Sequence, residues 1–81
     1  MTDLREHAET FQRMIDTLFR DAPVVARLDV VLAAENLDLP EEVIGLVNLL
    51  PPARYTRQKL CDQLNSAIVG HGWGRTLGTV D

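Results

Sequence analysis

The chain has 81 residues, of which 46% are hydrophobic and 25% charged, and its formal net charge is −4. These are ordinary values for a globular chain, and they exclude chain-wide disorder and more than one domain. Aromatic residues make up only 5%, so the core has to be built mostly from Leu, Val, Ile and Ala, and small aliphatic cores often need a second copy or a partner.

The charge is unevenly spread. Residues 1–50 carry four arginines against ten acids, while residues 51–81 carry four cations against Asp62 and Asp81. An acidic half and a mildly basic half are one candidate binding polarity, although a chain this short shows such asymmetry by chance more often than not. Cys61 stands alone, so no intrachain disulfide can form, which fits a reducing compartment. The start, Met1 to Glu6, lacks the basic residues and apolar run of a signal peptide. The longest unbroken apolar stretch, residues 30–34, is far short of the roughly 20 residues of a membrane span. A cytoplasmic protein with no membrane partner is expected.

Four helices are predicted in chain order. Leu4, Ala8, Phe11, Ile15, Leu18 and Ala22 recur at spacings of three and four, which predicts an amphipathic helix over residues 3–21. Asp3 and Glu6 form its capping box, and Met14 and Phe19 widen its apolar face. Pro23 then resets the chain. With Asp21 as cap and Pro23 in the first turn, a second helix is expected over residues 23–36. Asp38, Pro40 and Glu41 form the clearest start signal, and they predict a third helix over residues 40–50 that Pro51 and Pro52 stop. Thr56 can cap a fourth helix over residues 56–69, whose stripe is Leu60, Cys61, Leu64, Ala67 and Ile68, with Gly70 as a left-handed stop. Residues 70–81 are too rich in glycine for a helix and are expected to be an irregular tail, with Leu77 and Val80 docking on the core. The expected fold is therefore an all-α, compact four-helix domain. A small hairpin made by the tail is the variant that contains sheet.

Little in this pattern can carry catalysis. Cys61 lies on a predicted buried stripe, where cysteines behave as small hydrophobes. His71 sits between glycines beyond the fourth helix, and His7 lies at the edge of the first helix's stripe. One cysteine and two histidines at these positions lack metal-ligand spacing. Glu41 and Glu42 are neighbours that do not face each other on a helix and are accounted for by capping. The glycine-rich run Gly70 to Gly74 follows a helix, whereas a phosphate loop leads into one. The chain is read as non-catalytic, with no cofactor and no metal.

Two binding surfaces remain. The third helix, the break around Pro51 and the fourth helix have the size of a helix–turn–helix unit. Arg54, Arg57, Gln58 and Lys59 cluster where a recognition helix presents its first turn to a major groove, and Arg75 in the tail can act as a wing. Two features oppose this reading of a duplex DNA partner: the net acidity of the chain, and a break made of two prolines where such turns usually have a glycine.

In the same region Leu39-Pro40-Glu41-Glu42-Val43, followed by Leu49-Leu50-Pro51-Pro52-Ala53-Arg54-Tyr55-Thr56, resembles small bacterial helical domains of unknown function. In those domains a short helix ends in Leu-Pro and a Tyr-x-Ser/Thr step opens the next. The resemblance spans about residues 30–68 and implies a bacterial origin and these helix boundaries, but no site.

The second surface is the first helix. Its stripe is long compared with the three shorter helices that have to cover it. Leu4, Phe11, Met14, Ile15, Leu18 and Phe19 are therefore the candidate interface, to a second copy or to another protein. A two-fold contact between first helices is expected, which Phe11→Asp would break without unfolding the monomer. The leading expectation is a self-associating protein-interaction module or adaptor, with DNA binding as the alternative.

Overall fold

The computed structural model describes residues 4–81. A 3-10 turn over Leu4–His7 runs directly into α1 (Ala8–Leu18). The expected Asp3 cap lies outside the described residues. α1 ends three residues earlier than its periodicity suggests. Its last turn closes when the Phe19 N–H donates to the Ile15 carbonyl at 3.2 Å, and the Asp21-Ala22-Pro23 step then turns the chain.

The main departure from the expected fold follows. Residues 23–26 are not helical. Val25–Ala26 form a short strand, β1, that pairs antiparallel with β2 (Arg54–Tyr55), Val25 opposite Tyr55 and Ala26 opposite Arg54. The chain is thus mostly helical but not purely all-α. Its sheet joins the loop before the second helix to the loop before the fourth, and the tail takes no part in it. β-branched Val24 and Val25 suit extended backbone, and Pro23 cannot donate a helical hydrogen bond. The start of α2 (Arg27–Asn36) is fixed instead by Asp29, whose carboxylate accepts from the Ala26 N–H at 2.9 Å.

Arg27 sits at the centre of this junction. Its Nε donates to the Leu50 carbonyl at 2.8 Å and its terminal nitrogen to the Asn48 carbonyl at 3.0 Å. These carbonyls belong to the C-terminal end of α3 (Glu41–Asn48), where a helix lacks internal partners and a cation is favourable. Tyr55 is buried beneath the same loop, and its hydroxyl donates to the Pro51 carbonyl.

The link between α2 and α3 also differs from expectation. Asp38 makes no side-chain cap for α3, whose N-cap position is held by Pro40. Asp38 adopts φ +53° and ends α2. Its N–H donates to Glu35 at 3.1 Å, and the next residue, buried Leu39, donates to Ala34 at 3.4 Å. This is the Schellman pattern, with aspartate in the left-handed position that glycine usually takes.

α4 (Arg57–Gly70) begins as expected. The Thr56 hydroxyl accepts from the Lys59 N–H at 3.3 Å. It ends at Gly70, but the left-handed position falls two residues beyond that expected stop. Gly72, at φ +75°, takes the left-handed position, and Trp73 bonds back to Ile68 at 2.9 Å. Leu77 and Val80 of the tail are buried and complete a core made of Leu4, Phe11, Met14, Ile15, Val25, Val30, Ala34, Leu39, Val43, Leu46, Val47, Leu50, Tyr55, Leu60, Cys61, Leu64 and Ile68.

Candidate functional site

The apolar stripe of α1 is covered by the protein's own chain. Phe11 and Ile15 have no exposed surface, and Met14 and Leu4 are also buried. They cannot meet a partner in the folded protein. The reason is geometric: α2, β1 and the tail add cover that helix lengths alone do not reveal. Leu18 and Phe19, at the end of α1, are half-buried and keep an accessible edge. Of the six residues expected at the interface, four are core and two lie at the surface.

The uncovered apolar surface lies mainly on α2. This helix is apolar on nearly all sides, with Val30 and Ala34 inward and Leu28 and Leu32 outward. Leu28 is 63% exposed, Leu32 48%, and Leu37 just beyond the helix 44%. Leu28 and Leu32 are four residues apart and so share a face. The proline that opens the expected second helix carries no sign of this face. The alternation-free run from Leu28 to Ala34 was the available signal, since a helix that is apolar all round needs a cover on every side.

A groove runs between α1 and α2. Its upper part is lined by Met14, Leu18, Ala33 and Leu37, and it continues past Ala22, Val24 and Leu32. Its lining residues define a Met14–Leu37 end and an Ala22–Val25 end. Arg13 stands at the first end, in an exposed ion pair with Glu9 at 3.0 Å. Asp21 and Asp29 stand at the second.

The basic cluster at the start of α4 is only partly available. Arg54, Gln58 and Lys59 are exposed. The Lys59 ammonium lies 5.3 Å from the centre of the Tyr55 ring and 3.5 Å from the Arg54 carbonyl. Arg57 is committed to the fold. It pairs with the Asp16 carboxylate on α1 and donates to the Asp81 carbonyl at 2.9 and 3.1 Å. That guanidinium, together with the Gln12 amide, holds the Asp16 carboxyl below the usual carboxylate range. Arg75 lies at the other end of the helix. It sits in a turn in which Leu77 bonds to Trp73, and Trp73 bonds to Ile68. Arg54 precedes the start of α4 and Lys59 is in its first turn, whereas Arg75 lies beyond its end, and the 14 residues of the helix span about 20 Å. The structure does not bring the five residues of the expected nucleic-acid surface together.

The remaining sequence candidates are structural. Cys61 is buried, and burial pushes its thiol pKa up, away from the thiolate needed for nucleophilic chemistry. The His71 ring lies within 2.9 Å of the Ala67 carbonyl and packs against Trp73 at 4.8 Å. Among the described residues no group of three or more His, Cys, Asp or Glu could hold a metal ion, and no helix is long and apolar enough to cross a membrane. Leu49 and Val69 are exposed singly elsewhere, as surface apolar residues commonly are. No protein-family model, no curated protein and no solved structure matches the chain.

Proposed function

We propose that this chain is a non-catalytic interaction module that self-associates through the groove between α1 and α2 and the outer face of α2. The observation that supports the reading is the set of exposed leucines on and beside α2, Leu28, Leu32 and Leu37, the last two of which line the groove. A second copy is the favoured occupant because small aliphatic domains that leave leucines exposed are commonly completed by a two-fold contact with a copy of the same chain. The first helix takes part through Leu18 and Phe19. The same reading has the protein in the cytoplasm, without a cofactor.

The expected contact is weak. Fully burying a leucine contributes about 1.5–3 kcal/mol, and these three are already half-covered. Association has to offset lost rotational and translational freedom first. The dimer is therefore expected at hundreds of micromolar. Light scattering behind size exclusion, over a concentration series up to about 0.5 mM, tests it. The mass should rise with concentration in the wild type and stay monomeric in Leu32→Asp, whose circular dichroism should be unchanged. A constant monomer mass in the wild type rejects self-association.

The alternative, duplex DNA along residues 54–59, has Arg54, Gln58 and Lys59 exposed at one helix start. It is the weaker reading because Arg57 is bonded to Asp16 and Asp81 and Arg75 is remote.

A further inference from the structure

The end of the tail is held in an unusual way. The Asn65 side chain on α4 donates to the Val80 carbonyl at 2.9 Å and accepts from the Val80 N–H at 2.7 Å. The Gln12 side chain on α1 does the same for the next residue, donating to the Asp81 carbonyl at 2.9 Å and accepting from the Asp81 N–H at 2.9 Å. Each amide acts on one residue as a neighbouring strand would. In an extended segment the polar groups of successive residues point to opposite edges. Asn65 and Gln12 therefore read the main chain from two sides, one from each helix. Arg57 adds two further bonds to the Asp81 carbonyl.

None of these bonds uses a tail side chain. Side-chain identity enters through Leu77 and Val80, which are buried, and through Trp73, which is half-buried against the core at the start of the tail. The depression that holds Val80 and Asp81 extends beyond them along α4, past Arg57, Gln58, Cys61 and Asp62. Two glycines with positive φ, Gly72 and Gly78, both precede the clamped pair Val80 and Asp81, and a Cβ at either would meet nothing within 4 Å. The tail is thus a strap that turns at Gly72 and again at Gly78 before its last residues seat in a cleft that recognises main chain and aliphatic side chains.

We propose that the cleft between α1 and α4 is a binding site for an extended peptide segment of a partner protein, occupied intramolecularly by the chain's own tail. The segment it accepts carries aliphatic residues at the Leu77 and Val80 positions and a free N–H at both the Val80 and Asp81 positions, which excludes proline from either. The tail competes at an effective concentration in the millimolar range, as short flexible tethers do. A ligand at micromolar concentration therefore meets a closed site until the strap is loosened. This surface is separate from the α1–α2 groove, and either reading can fail without the other.

The test uses full-length chains and a fluorescein-labelled, C-terminally amidated peptide with the sequence of residues 73–81. Fluorescence anisotropy should show at least about tenfold tighter binding to Val80→Asp than to the wild type, since the aspartate unseats the internal tail. Adding Asn65→Leu to Val80→Asp should abolish the binding, and a peptide with the Val80→Pro change should not bind. Peptide should also slow iodoacetamide modification of Cys61 in the Val80→Asp chain. Gly78→Ala loosens the strap through its backbone alone and serves as the second variant, with a severalfold gain expected. If Gly78→Ala and Val80→Asp keep their helical circular dichroism and the peptide binds neither better than the wild type, the proposal is overturned.

Discussion

Asp38 gives a prediction whose sign separates two accounts of one residue. Read from the sequence, Asp38 caps α3, and replacing it with glycine removes a cap oxygen. In the structure it ends α2 at φ +53°, exposed, with no side-chain bond to the start of α3. A left-handed conformation costs an L-residue about 1–2 kcal/mol, less for aspartate than for most. Glycine removes that strain but gains freedom in the unfolded chain, which offsets about 0.5 kcal/mol. Asp38→Gly should therefore stabilise the protein by about 0.5–1 kcal/mol. For a domain of this size that raises Tm by roughly 2–8 °C. The two backbone bonds to Glu35 and Ala34 are kept, because glycine retains both N–H geometries. Thermal unfolding followed by circular dichroism, repeated in urea to check that the m-value is unchanged, measures it. A fall in Tm of several degrees would refute the assignment and restore Asp38 as the cap of α3.

Three further predictions follow from the packing and the charges. Phe11→Ala should cost about 3–5 kcal/mol and leave the chain largely unfolded, whereas Leu32→Ala should stay within about 0.5 kcal/mol, both measured by urea unfolding. Phe11→Asp, expected from the sequence to separate two folded copies, should instead unfold each one. Thr56→Ala should cost about 1 kcal/mol, because the Lys59 N–H loses its only side-chain acceptor at the start of α4; the same unfolding curves report it. Asp16 holds its proton less tightly in the folded state than in the unfolded one, owing to Arg57 and Gln12. Its contribution is complete above about pH 5 and is lost as the pH falls below the ordinary aspartate value near 4. Arg57→Gln should flatten that acid limb of the stability profile, and a wild-type profile unchanged by Arg57→Gln would contradict it.

The features that were legible in the sequence are local ones. The apolar stripe of α1, the Thr56 cap and the stop at Pro51 each depend on neighbours within a turn or two. Features set by distant partners were not legible. Strands of two residues, Val25–Ala26 and Arg54–Tyr55, have no room for a period-two pattern, and their pairing joins two loops that are far apart in the sequence. Arg27 has no partner close in sequence, and the carbonyls it binds lie more than 20 residues away at and just beyond the end of α3. The candidate site shows the same limit. Periodicity identified Phe11, Met14 and Ile15 as an apolar face, but whether a face is core or interface depends on what folds over it. Here the tail, clamped by Gln12 and Asn65, supplies cover that no helix count includes. Arg57 was legible as a cation at a helix start, while its commitment to Asp16 and Asp81 depends on contacts 41 and 24 residues apart.

The central claim is that the uncovered α1–α2 face, and no other, mediates self-association. A dilution series of amide spectra by two-dimensional NMR, from about 1 mM to 20 μM, tests it most directly because it reports every surface at once. The account predicts progressive shifts confined to residues 17–22 and 28–37, absent in Leu32→Asp. Spectra that do not change on dilution, or shifts centred on residues 54–59 and 75, would contradict it.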